Sequence, residues 1–270
     1  MRKFEGMLLA CDMDGTLLCS DRSISPANLH ALQYFTEEGG LFSLATGRAF
    51  AAVTDYLGLL PVNAPYILLN GSLVMDAKHQ PLHCAGMPVQ SCELIDEVLE
   101  KFPRIGCEVF LPEHILVCRM SPETDHHMRV LHLDYTCVPP SALPDPSGWC
   151  QVNFTGTADE IAALRAYLAK YSAVFSAVAT MPTFCEVTRA GVGKGKALQQ
   201  IAADCGVPRE RVFAVGDSDN DLSMLEYAAV GFVPANAAQE ILHRADVCVG
   251  DNDHDAIAQV IDYLEKYRNV

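Results

Sequence analysis

No apolar run in the chain reaches the roughly 18–20 residues that a bilayer-spanning helix needs, so a soluble protein is expected. No signal-peptide cleavage pattern follows the opening MRKFEG, which leads straight into an apolar strand and points to a cytoplasmic location. Basic residues are scarce, 19 Lys and Arg against 34 Asp and Glu, for a net charge of −15. Such a surface repels nucleic-acid backbones and anionic membranes. A small phosphorylated molecule remains an admissible partner where the site itself supplies Lys, Arg or a metal ion. The eleven cysteines include no Cys-x-x-Cys pair and are odd in number. They read as reduced thiols, with Cys11, Cys118 and Cys248 lying in apolar runs as small hydrophobes. Internal repeats and low-complexity tracts are missing too. What the chain does have is length and apolar content: 270 residues, half of them hydrophobic, enough for a core plus an insertion.

The stretch that organises the chain is DMDGTLL, Asp12 to Leu18. Met7 to Cys11 before it is a short apolar run, as a buried parallel strand requires. Two carboxylates, Asp12 and Asp14, therefore stand where a strand ends, and open α/β sheets collect chemistry at that edge. A calcium loop fails on spacing: counted from Asp12, the sixth position is Leu17 rather than Gly and the twelfth is Ser23 rather than Glu.

Further along, Ser25-Pro26 predicts a capped helix start, LFSLA a second strand ending in Thr46-Gly47-Arg48, and about Ala49 to Leu57 a helix. Pro65–Leu69 predicts a third strand ending at Asn70-Gly71, with a hairpin arm after it. Between Gly86 and Thr188 strand pairs bunch with helices, the pattern of a separate α+β unit. Strict β-α alternation resumes at Gly193-Lys194-Gly195 and includes RVFAV ending in GDSDND, Gly216 to Asp221. The expected architecture is an α/β protein: a doubly wound parallel-sheet core formed by 1–86 and 188–270, interrupted by an α+β insertion over 87–187.

Four polar clusters, Asp12/Asp14, Thr46/Arg48, Lys194 and Asp217 to Asp221, each end a strand or open a helix, so one sheet edge would gather them. The chemistry that fits is phosphoryl transfer. A phosphate monoester is doubly charged, and an anionic nucleophile approaches it when a cation screens the repulsion. Mg²⁺ suits such a site because it takes few protein carboxylates and leaves positions for water and phosphate. Asp12 and Asp217 are the expected side-chain ligands, Asp14 adds its carbonyl, and Asp221 orients the shell. Lys194 neutralises nucleophile and phosphoryl group, and Thr46 with backbone N–H groups binds phosphate oxygens. The segment Gly191 to Lys196 lacks P-loop spacing.

DMDGTL, ATGR, Asn70-Gly71, GVGKGKAL and GDSDNDLSML together, with VPANA, resemble the haloacid dehalogenase superfamily, and within it the Cof-type group of sugar-phosphate phosphatases. The resemblance covers nearly the whole chain, the middle segment in architecture more than in sequence. It implies a Rossmann-like core with a type-two cap inserted after the third strand. It also implies Asp12 as nucleophile, Asp14 as general acid/base and Lys194 as the third catalytic residue. Phosphate and substrate would meet Gly15, Thr46, Gly47, Arg48, Asn70 and Asn220, and Mg²⁺ would sit among Asp12, Asp14, Asp217 and Asp221. An acid at position 14 favours ester cleavage over dehalogenation, since a leaving alkoxide needs a proton. A phosphomutase on the same core, and an inactive phosphosugar-binding or regulatory protein, are the alternatives. Selectivity is expected between 87 and 187, where Glu108, Arg119, Asn153 and Glu186 lie in strands. His126, His127 and His132, with Asp125 and Asp134, read as the solvated face of a polar helix rather than a second metal site.

Overall fold

The computed structural model describes residues 2–130 and 133–267. Its elements run β1 (Leu8–Cys11), α1 (Pro26–Glu37), β2 (Leu41–Leu44), α2 (Thr54–Leu57), β3 (Tyr66–Leu68), β4 (Leu73–Met75), β5 (Pro81–Cys84), α3 (Ser91–Lys101), β6 (Gly106–Phe110), β7 (Ile115–Arg119), α4 (Pro122–Val130), β8 (Tyr135–Cys137), β9 (Gln151–Thr155), α5 (Ala158–Leu168), β10 (Phe175–Met181) and β11 (Phe184–Arg189). They continue with α6 (Lys194–Asp204), β12 (Val212–Val215), α7 (Leu222–Tyr227), β13 (Val230–Pro234), α8 (Gln239–Leu242), β14 (Val247–Val249) and α9 (Ala256–Tyr267). By packing the chain forms two compact units. One comprises Met1–Gly47, Asp55–Leu82 and Gly193–Val270; the other comprises Arg48–Thr54 and His83–Val192.

The first unit carries a parallel sheet in the order β14-β13-β12-β1-β2, and a parallel bridge from Ala45 to Ile67 brings β3 beside β2. β1 and β12 are wholly buried, and both read as continuous apolar runs because helices cover both faces. On one face Leu8, Ala10 and Val212 pack with Leu198, Ile201 and Met224 of α6 and α7. On the other, Phe213 and Phe232 meet Tyr267 and Tyr263 of α9 edge-on. This is the doubly wound α/β core the alternation predicts. Ser25 caps α1 by accepting from the Asn28 N–H at 3.1 Å, with Pro26 in the first turn.

The second unit is a six-stranded mixed sheet, β10-β11-β9-β6-β7-β8, antiparallel except where β7 pairs β8. Cys107, Val109, Val152, Phe154, Cys185 and Val187 point to one face and share a core with residues of α3 and α5. The alternate residues make a polar row: Glu108 stands opposite Asn153, and Asn153 opposite Glu186. Arg119 lies in register with Cys107 and donates to the Phe102 carbonyl at 3.1 Å, so it does not join that row.

Several expectations change. The helix expected from Ala49 to Leu57 breaks into a 3₁₀ turn, Phe50–Ala52, and the short α2, since adjacent β-branched Val53 and Thr54 pack poorly against a preceding helical turn. The joints expected at 86/87 and 187/188 fall at 82/83 and 192/193, because β11 still pairs β10 at Arg189. All eleven cysteines are free, but Cys248 is exposed rather than part of the core, because β14 is an edge strand. The polar helix α4 is not simply a solvated face. Asp125 does pair with Arg129 at the surface, but His127 turns inward onto buried Glu108 at 3.0 Å. His132 lies outside the described residues. No helix among the described residues is long and apolar enough to cross a membrane.

Candidate active site

Lys194 is the first residue of α6 and is completely buried. Its ammonium donates to Asp12 Oδ1 and to Asp221 Oδ1, each at 2.6 Å. An unpaired buried ammonium would be costly, and two carboxylates at this range compensate it. The local sequence fixes this geometry through small residues. A Cβ on Gly195 would come 2.1 Å from the Ser223 carbonyl, and one on Gly71 would come 2.5 Å from the Gly193 carbonyl. Glycine at both positions lets α6 start against α7 and against the turn after β3.

Asp12 follows the last residue of β1, and its N–H donates to the Val215 carbonyl at 2.9 Å, joining it to the end of β12. The GDSDND turn then folds on Asp221. Asp221 Oδ2 accepts from the N–H groups of Asp217 and Ser218 at 3.1 and 3.0 Å. With Oδ1 on Lys194, both of its oxygens are engaged. Asp217 accepts from the Thr16 hydroxyl at 2.9 Å and the Ser218 hydroxyl at 3.0 Å. Gly15 has φ +81°, and a Cβ there would come 2.6 Å from Asp217 Oδ2. The glycine of DMDGT thus serves both a left-handed turn and a close approach.

Asp12, Asp217 and Asp221 each offer an oxygen within 4.8 Å of the others. Asp14 is exposed beyond them. Burial pushes the Asp12 carboxyl up, with Lys194 opposing the shift. Burial also raises Asp217, against its bond from Thr16. Burial pulls the Lys194 ammonium down, yet Asp12 and Asp221 outweigh it and hold it above its ordinary range. The cluster is a buried cation flanked by carboxylates, with hard oxygen donors in excess of its charge.

Of the other expected residues, Thr46 is buried at the end of β2 and donates its N–H to the Ile67 carbonyl at 2.9 Å. Asn70 adopts φ 55°, a left-handed conformation that Asn tolerates, and accepts from the Asn220 amide at 2.9 Å. Gly47 adjoins that amide: a Cβ on it would lie 3.0 Å from Asn70 Oδ1. Arg48 belongs with the second unit, and its guanidinium donates to the Ala52 carbonyl at 3.3 Å. The sequence reading assigned no task to Thr16 or Asn236. Thr16 supports Asp217, and Asn236 donates to the Gly15 carbonyl at 2.8 Å. Their signal was already present, since Thr16 closes DMDGT and Asn236 is the Asn of VPANA.

The sequence profile of haloacid dehalogenase-like hydrolases matches residues 9–261. Two relatives are the 5-amino-6-(5-phospho-D-ribitylamino)uracil phosphatase YitU of Bacillus subtilis and the pyridoxal phosphate phosphatase YbhA of Escherichia coli. The first is 27% identical over 96% of this chain and 97% of its own; the second is 28% identical over 94% and 97%. In fold the chain is similar to a haloacid dehalogenase-like hydrolase from Bacteroides thetaiotaomicron, with a TM-score of 0.85 at 22% identity over 96% of this chain and 99% of that one. A subclass IIB sugar phosphatase of the same superfamily gives 0.79 at 23% identity over 95% and 98%.

Proposed function

The chain belongs to the haloacid dehalogenase-like hydrolase family, and from that premise we propose that it hydrolyses small phosphorylated metabolites through a phosphoryl group carried on Asp12. The observation that supports this most is the buried Lys194 held between Asp12 and Asp221 at the carboxyl edge of a parallel sheet. A binding protein has no need to bury a nucleophile-grade carboxylate against an ammonium, so the assembled cluster favours catalysis over a phosphosugar-binding role.

An all-oxygen carboxylate set fits Mg²⁺. Asp12 and Asp217 would hold it with the Asp14 carbonyl, and Asp221, whose oxygens are already engaged, would orient Asp217 rather than bind directly. When bound, the ion screens the charge between carboxylate and phosphate. Asp12 attacks phosphorus in line, the P–O bond to the alcohol breaks, and Asp14 gives its proton to the departing oxygen. Asp14 then takes a proton from water, which attacks the aspartyl-phosphate, releases phosphate and restores Asp12. Lys194 keeps Asp12 oriented and offsets the accumulating negative charge. Asn70 and Asn220, already joined by their amides, with Thr46, Gly15 and Gly47, form the proposed phosphate-binding set.

The relatives named above act, by their names, on 5-amino-6-(5-phospho-D-ribitylamino)uracil and on pyridoxal phosphate. Substrate class here is accordingly a small phosphate monoester, with selection assigned to the second unit over 87–187. The test is turnover of p-nitrophenyl phosphate. Activity is expected with Mg²⁺, lost in excess EDTA, restored by Mg²⁺ and inhibited by Ca²⁺, whose longer, looser coordination spoils in-line geometry. Full turnover in EDTA would end the mechanism.

A further inference from the structure

Two thiols in the second unit stand close for reasons the phosphatase chemistry does not use. Cys84 ends β5, every residue of which is exposed, and Cys150 is buried just before β9. Their sulfurs are 3.5 Å apart although 66 residues separate them in sequence. The surrounding backbone holds the two segments together. Met87 donates its N–H to the Pro146 carbonyl at 2.9 Å. Gly86 has φ +64°, and a Cβ there would come 2.6 Å from the Ser147 carbonyl. The Arg189 guanidinium donates to the Gly86 carbonyl at 2.9 Å, and Cys150 is itself tied by its N–H to the Phe110 carbonyl at 2.7 Å.

We propose that Cys84 and Cys150 form a reversible thiol–disulfide site, with Cys84 the thiol attacked by a peroxide and Cys150 the thiol that resolves it. The asymmetry of exposure assigns the roles: the oxidant reaches Cys84 from solvent, and Cys150 waits beneath it. The hydrogen bond from Cys150, aided by the Gly86 N–H, lowers the Cys84 thiol to about 6, while the same bond and burial push Cys150 up. At neutral pH Cys84 is then the thiolate, the reactive form. Cys84 gives its proton to solvent and attacks one peroxide oxygen. An S–O bond forms, the O–O bond breaks, and the departing hydroxide is protonated to water. Cys150 sulfur next attacks the sulfenic sulfur, the S–S bond forms, and the hydroxyl leaves as water with the Cys150 proton. Two thiols lose two electrons, and one peroxide becomes two waters.

The molecule supplies its own control. Cys107 and Cys118 also hydrogen-bond to each other, a bond that lowers the Cys118 thiol and helps burial push Cys107 up, but Cys118 is only half-exposed where Cys84 is exposed, so Cys84 is the thiol a peroxide reaches first.

The reduced full-length protein is treated with hydrogen peroxide, alkylated, and digested with trypsin without reduction. The expected product is peptide 79–101 linked to peptide 130–165, with fragmentation locating the bond at Cys84 and Cys150 rather than Cys92 or Cys137, and with dithiothreitol reversing it. Cys84→Ser should abolish the link, and Cys150→Ser should leave a Cys84 sulfenic acid that dimedone captures. Should Cys150→Ser fail to fold, iodoacetamide on the native chain serves instead: Cys84 should be alkylated before the other thiols and be protected after peroxide treatment. A link formed elsewhere, a Cys84 that passes to sulfinic acid unlinked, or a Cys84 that is not the first thiol alkylated would overturn the assignment.

Discussion

In the first unit Lys194 is enclosed between Asp12 and Asp221 at 2.6 Å each. In the second, Glu108 is enclosed as fully but meets His127 at 3.0 Å and the Asn153 amide. Both are buried ionisable groups, Lys194 at the start of α6 and Glu108 within β6, and they differ in how the charge is satisfied. Lys194 keeps its proton because two anions outweigh desolvation. Burial instead pushes the Glu108 carboxyl up, against His127 and Asn153. Nearby, Gln151 donates to Asn153, but its buried Oε1 accepts from no donor among the described residues. A fully paired network holds charge in place for chemistry, whereas a partly paired one can neutralise itself by protonation.

Removing the nucleophile from the first unit should cost the most activity. Asp12→Asn should lower p-nitrophenyl phosphate turnover by about 10⁴–10⁶-fold, since a carboxamide oxygen is a far weaker nucleophile than a carboxylate. Asp14→Asn should cost less, ~10²–10⁴-fold. Nitrophenolate leaves without a proton, so the loss should fall on hydrolysis of the intermediate. Intact mass after rapid quench should show one added phosphoryl group in Asp14→Asn and none in Asp12→Asn. The absence of a phosphorylated Asp14→Asn protein would refute the two-step assignment.

Lys194→Met tests stability. It strands Asp12 and Asp221 in a buried site without their counter-charge, a loss of about 3–5 kcal/mol. His127→Leu should cost much less, since Glu108 can take up a proton and stay neutral. Urea denaturation of both variants beside the native chain measures the two values. Equal losses would mean that Glu108 remains ionised and that the contrast between the units is false.

A third test concerns selection. The in-register row Glu108, Asn153 and Glu186 is the second unit's polar strand face. If that unit selects substrates, Glu186→Gln should change the ranking of phosphate esters by kcat/KM about 10–200-fold while leaving p-nitrophenyl phosphate turnover within a factor of about two. An unchanged ranking would assign selection elsewhere.

The unequal legibility of the two units has the same physical root. Parallel strands buried on both faces must be apolar throughout, so Leu8 to Cys11 and Val212 to Val215 stood out as strands. The polar residue ending each strand then marked an edge where Asp12, Lys194 and Asp217 meet. Thr16 and Asn236 could be seen but not given tasks, because their partners are distant in sequence: Thr16 serves Asp217 across 201 residues. In the second unit periodicity revealed the strands but not the neighbours. His127 in a polar helix looked solvated because nothing local announces that it faces Glu108 across a gap of nineteen residues. The close sulfurs of Cys84 and Cys150 were hidden for the same reason, being joined only by tertiary packing. Cys248 was misread because an apolar run does not say whether its strand lies at the centre or the edge of a sheet.

The smallest expected effect is the most specific to the second unit. Burial raises the Glu108 carboxyl above its ordinary range, so over the window between the ordinary value and the raised one the native chain binds a proton that the unfolded chain has released. Stability therefore falls as pH rises through that window, the reverse of the behaviour of a carboxylate with a depressed pKa. Glu108→Gln removes the titration and keeps the shape. In acid both chains carry a neutral side chain at this position, and their stabilities should differ by little. As pH climbs, native Glu108 increasingly bears the penalty of a buried charge, and the variant should gain relative to it until the window is passed. Titrating groups that do not touch position 108 are shared by the two proteins and cancel in the difference, and pairing each chain with its His127→Leu counterpart removes the one contacting group that does not. Paired urea denaturation at about pH 4, 6 and 8, spanning the ordinary carboxyl range and above, reads this directly. A gap that shrinks with pH would mean that His127 and Asn153 stabilise an ionised Glu108, making the second unit's buried charge as fully satisfied as Lys194.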